Sequence, residues 1–165
     1  MAAQMAARGH AVLGRDDPAH ARAAHAEFDQ AEVLIKRAAA QPDDEPVWMY
    51  FYGETWFRLQ RGMAELHLGN WALAAQLLRD GLEKLGASYR RDRAWYAACQ
   101  ARALAEAGDA EQAHEVAVRH AADIVAVNSY ARGEMNRAVA VLIARGAREG
   151  VAIRDALAEP PGPLR

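Results

Sequence analysis

Six histidines, one cysteine, two serines and one threonine are the residues of this sequence best suited to bond-making chemistry. His20 and His25 stand five apart, and His114 and His120 six apart. Neither spacing sets two imidazoles squarely on one helical face. His10 and His67 are isolated in sequence. His114-Glu115 begins like a zinc-protease helix, but Val118 stands where the second histidine is needed. No metal site is expected. Cys99 reads as a small core residue, because a nucleophilic thiol needs a basic neighbour. Ser88, Ser129 and Thr55 have no base beside them. Gly69 and Gly108 are turn glycines outside any phosphate-loop pattern. Asp43, Asp44 and Glu45 sit between Pro42 and Pro46, as a solvated connector would. The residues predict neither an enzyme nor a bound cofactor.

Aromatic clustering is the stronger signal. Trp48, Tyr50, Phe51, Tyr52, Trp56 and Phe57 crowd one segment, and Trp95-Tyr96 follow. Tyr50, Phe51 and Phe57 are assigned to the core. Arg90, Arg91 and Arg93, with Asp92 among them, read as a solvated face with local ion pairs; an anion patch is the other reading.

The elements that must position these residues are helices. Alanine supplies about a quarter of the chain, and leucine, arginine, glutamate and glutamine dominate the rest. Alternating runs of β-branched residues are missing. Helix 1 is expected over Ala2 to Leu13 and helix 2 from Pro18 to Ala40, after an Asp17 cap. Helix 3 should run from Val47 to Leu68, and helix 4 from Asn70 to Leu85. Helix 5 should follow Ser88 and end at Ala107. Helix 6 should follow Asp109, and helix 7 should run from Asn128 or Ser129 toward Gly146. Residues 148–165 are expected to form a flexible tail.

Two segments repeat at an interval of 39 residues. Gly62, Gly69, Asn70 and Ala74 recur as Ala101, Gly108, Asp109 and Ala113. The small residue lets paired helices approach, the glycine makes a left-handed turn, and Asn or Asp caps the next helix. This resembles the tetratricopeptide repeat. Ala24, Phe28 and Ala31 resemble the second half of an earlier copy. The expected fold is all-α. About three antiparallel pairs over residues 1–147 would form a right-handed superhelix, with helix 7 as a C-terminal cap.

Leu66-His67-Leu68-Gly69, Arg90 to Tyr96, Ala103 to Ala113 and Asn128 to Arg132 carry a further likeness. They resemble the C-terminal repeat domains of actinobacterial regulators whose N-terminal part is a helix-turn-helix of the XRE type. The resemblance implies sensing of a ligand or peptide, or dimerisation. No helix-turn-helix is found in this sequence. A stand-alone scaffold that docks a partner protein is the alternative.

By the repeat register, Trp56 and Trp95 occupy equivalent places, and Met63, His67, Arg102 and Glu106 share that face. A groove of Tyr52, Trp56, Met63, His67, Trp95 and Arg102 would grip a peptide or small molecule, with arginine orienting a carboxylate. For both tryptophans, packing inside the superhelix is the competing reading. Twenty basic against twenty-two acidic residues give a formal charge of −2, which argues against direct nucleic-acid binding. No apolar run reaches membrane-spanning length. The start of the chain does not resemble a signal peptide, and a lone cysteine suits a reducing compartment. A cytoplasmic location is expected.

Overall fold

The computed structural model describes residues 1–40, 53–127 and 129–158. These residues contain eight helices and no strand. The helices are α1 (Ala2–Leu13), α2 (Pro18–Ala39), α3 (Glu54–Leu68), α4 (Trp71–Lys84), α5 (Arg90–Ala107), α6 (Ala110–Val127), α7 (Ser129–Ala144) and α8 (Arg148–Ala158). The acidic connector, the expected first turns of helix 3 and the aromatics Trp48, Tyr50, Phe51 and Tyr52 lie outside the described residues. No described helix is long and apolar enough to cross a membrane.

The chain divides into two compact units, Met1–Lys84 and Leu85–Arg165. In the first, α1 pairs with α2 and α3 with α4, while α3 also packs on α1 and α2. Asp17 caps α2 by accepting from the Ala19 and His20 amides, at 2.8 and 3.4 Å. These bonds hold its carboxyl below the usual range. The core joins Ala7 and Ala11 of α1, Ala24, Phe28 and Ala31 of α2, and Phe57 and Ala64 of α3. Phe57 meets Phe28 edge-on, with ring centroids 5.9 Å apart, as a core assignment requires.

The α3–α4 pair meets through reciprocal notches. A Cβ on Gly62 would stand 2.8 Å from Leu78 Cγ, and one on Gly81 would stand 2.6 Å from Leu59 Cγ. Gly62 and Ala74 are the small contacts expected from the repeat; Gly81 is an addition that the repeat does not contain.

In the second unit, α5 pairs with α6 and α7 with α8. Tyr96, Cys99, Ile124, Met135, Leu142 and Ile153 are buried there. Asp109 caps α6, accepting from the Gln112 amide at 3.1 Å. Tyr89, not Ser88, occupies the cap position of α5 and makes no side-chain cap bond.

The expected tail is corrected over its first part. Residues 148–158 are helical and bury Ile153 and Leu157, with α8 packed on α6 and α7. Helix 7 is therefore the first half of a fourth pair. The turn before α8 copies the two before it. Gly69, Gly108 and Gly146 take φ of 85°, 91° and 72°. The next residue's amide then bonds back to Glu65, Leu104 or Leu142 at 2.9 Å each. Residues 159–165 lie outside the described residues.

Candidate functional site

The first unit contains a cavity of about 270 Å³, lined among the described residues by apolar and charged side chains. Helical spacing builds its walls. Glu32, Ile35, Lys36 and Ala39 form one stripe of α2, and Glu54, Phe57, Arg58 and Arg61 one stripe of α3. Leu73 and Leu77, one turn apart, close it from α4. A wider, more open cleft adjoins it and shares Arg61 and Leu73; His25, Asp29, Glu65 and Trp71 also line that cleft. The Arg15 guanidinium lies over the Trp71 ring, 5.1 Å from its centroid.

Charges at the cavity are paired, but unequally. Arg61 reaches Asp29 at 3.2 Å, Glu32 at 3.3 Å and Glu65 at 3.9 Å. Lys36 bonds Glu32 at 2.7 Å; that contact lowers the Glu32 pKa and raises the Lys36 pKa. Arg58 bonds Glu54 at 2.6 Å and reaches Asp80 at 3.9 Å.

Glu65 is the most unusual polar residue here. It is 1% exposed. Asn70 donates to its carboxylate at 2.7 Å and His25 Nε2 at 3.3 Å. The matching positions in the other two glycine turns are Leu104 and Leu142. A buried carboxylate costs desolvation that leucine does not, so repeat packing alone does not call for it. The exchange of Glu65 for Leu104 is visible when the two sequence segments are aligned. His25 and Arg61 carry no comparable signal, because their spacing looks like ordinary helix surface.

Among the residues expected from sequence, Trp56, Met63 and His67 share α3 in the first unit. Met63 is buried, Trp56 half-buried and His67 exposed. None of the three lines the two cavities; the neighbouring positions 57, 58, 61 and 65 do. Trp95 and Arg102 share α5 in the second unit, and Tyr52 lies outside the described residues. Trp95 meets the exposed ring of Tyr130 edge-on, with centroids 6.5 Å apart. Arg102 bonds Glu134 of α7 at 2.9 Å, so a carboxylate of this chain already occupies the role foreseen for a ligand's. Arg137 bonds the same carboxylate. Cys99 is buried, and desolvation pushes its thiol pKa far up, the opposite of an activated nucleophile.

His10 and His20 come together with their Nδ1 atoms 2.8 Å apart, a contact their ten-residue separation hides. Among the described residues, no three histidine, cysteine or carboxylate side chains gather to hold a metal. No family model, curated protein or solved structure matches the chain.

Proposed function

We propose that this chain is a non-catalytic sensing domain of a bacterial transcriptional regulator, and that it binds a small molecule or peptide. The finer architecture belongs to the same proposal: helix pairs of tetratricopeptide type, stacked into a right-handed superhelix. Three glycine turns of one geometry, spaced 39 and 38 residues apart, support the repeat reading. The actinobacterial XRE resemblance supports the regulatory one.

The cavity between α2, α3 and α4 carries the sensing reading. Its apolar side chains supply binding area, and its charged side chains supply orientation. At about 270 Å³ it suits a side chain or a compact metabolite more than a large drug-sized molecule. A ligand that prefers one arrangement of the three helices shifts the population toward it, and an attached domain reads that shift.

Thermal-shift and native mass-spectrometry screens against short peptides and small metabolites test this reading. A ligand at a hundred times its Kd should stabilise the fold by about 2.7 kcal/mol. A screen with no stabilising ligand, and a cavity found filled by the chain's own side chains, would contradict it.

One observation favours a scaffold as the second reading. Met5, Val12 and Leu13 of α1 and Val33 and Leu34 of α2 are exposed. Apolar surface of this kind suits a docked protein. A single stoichiometric partner, recovered in pull-downs and indifferent to small ligands, would favour that reading.

A further inference from the structure

We infer that His10 and His20 form a two-coordinate site for a soft monovalent cation, Cu(I), at the turn end of the α1–α2 pair. The site is separate from the α2–α3–α4 cavity and does not depend on the sensing reading.

His10 stands in the last turn of α1 and His20 in the first turn of α2. The chain reverses over residues 14–17 and brings the two imidazoles together. Both side chains are half-buried, and Nδ1 faces Nδ1 at 2.8 Å. The ring centroids are 5.0 Å apart. That exceeds the nitrogen separation by nearly two full ring radii, so both nitrogens lie close to the line joining the centroids. The in-plane lone-pair directions therefore meet head-on.

Two neutral imidazoles hold this contact in one way only. One Nδ1 carries a proton and donates, and the other accepts. A cation placed between them takes both lone pairs instead. The bridging proton leaves its Nδ1 and the same ring takes one up at Nε2. Both rings stay neutral, and the net proton count is unchanged.

The geometry selects the ion. With metal–nitrogen bonds of about 2.0 Å, a linear ion needs the nitrogens about 4 Å apart, so each ring draws back by roughly 0.6 Å. Small side-chain rotations at the two helix ends supply that movement. Tetrahedral zinc needs lone pairs that converge at an angle, and two further ligands. Head-on rings do not converge, and among the described residues no third histidine, cysteine or carboxylate completes such a set. Imidazole suits copper, and Cu(I), with its filled d shell, accepts two ligands in line. The added charge sits at the C-terminal end of α1, where the helix dipole favours a cation. The Asp17 carboxylate, whose charge is coupled to that of His20, lies on the other side.

Anaerobic titration of the full chain with Cu(I), in competition with bicinchoninate, tests the inference. One equivalent should bind, at least about tenfold more tightly than Zn(II). His10→Gln and His20→Gln should each weaken Cu(I) binding by at least about tenfold, because a single imidazole is left. Cys99→Ala should leave the affinity unchanged, since that thiol is buried. Ring nitrogen shifts of the parent protein with Ag(I), a redox-inert stand-in, need no variant: Nδ1 of His10 and His20 should move, with Nε2 protonated in both. The inference is overturned by absence of Cu(I) binding, by zinc bound as tightly, or by Ag(I) shifts at other histidines. Binding that survives the double variant His10→Gln, His20→Gln, or that is lost in Cys99→Ala, overturns it too.

Discussion

Glu65 shows what a single residue contributes. Its carboxylate is buried beneath the α3–α4 turn and ties Asn70 and His25 to it. Glu65→Ala should destabilise the protein by about 3 kcal/mol, because it leaves a void and strips Arg61, Asn70 and His25 of a partner. Glu65→Leu installs the residue that the other two turns carry, and stability should stay within about 1 kcal/mol of the parent. Urea denaturation of both variants checks this; a leucine as damaging as alanine would contradict the packing argument. His120 supplies the pH dependence. Burial, reinforced by Arg93 and Arg119, lowers its pKa below the usual histidine value. Near and below pH of about 6.5 the unfolded chain then binds a proton that the folded chain refuses. The His120 contribution is intact above that range and is lost as pH falls through it. The urea midpoint should fall between pH of about 7 and 5, and His120→Gln should flatten that slope. An identical slope in the variant would assign the dependence to other groups.

At the scale of the helices, close approach matters more than propensity. Alanine normally favours a helix over glycine by about 1 kcal/mol. At Gly81 an added methyl would press on Leu59, and overpacking of this kind costs about 1–3 kcal/mol. Gly81→Ala should therefore lower the melting temperature; a rise would show that the α3–α4 notch is loose. The helix ends were largely written in the sequence. Gly14, Asp17-Pro18, Gly69, Gly108 and Asp109 punctuate it, and the boundaries of α1, α2 and α6 follow them closely. The last pair was hidden for a specific reason. Val139 and Val151 stand where the earlier repeats place Gly or Ala, so the small-residue signature of Gly146 is missing on both sides. The cavity was hidden for another reason. Glu32–Lys36 and Glu54–Arg58 have the spacing of solvated helix pairs, and nothing in one helix reveals that α2, α3 and α4 enclose a space between them.

For the whole chain, the two units each carry a core, and the second extends further toward the C-terminus than composition suggests. Ile153 is 1% and Leu157 6% exposed. Burial of such side chains is worth about 1.5–3 kcal/mol each. Truncation after Ala147 should lower stability by at least about 3 kcal/mol, read from the urea midpoint. A truncated chain as stable as the parent would restore the flexible tail.

The central claim, that the first unit holds a ligand between α2, α3 and α4, is met most directly by mapping amide chemical shifts during titration with the small molecule or peptide that stabilises the fold most in the thermal-shift screen. The account predicts perturbations concentrated at Ile35, Phe57, Arg58, Leu73 and Leu77, and their loss in Leu77→Trp, which fills the cavity. Perturbations scattered over other helices, or unchanged in Leu77→Trp, would contradict it.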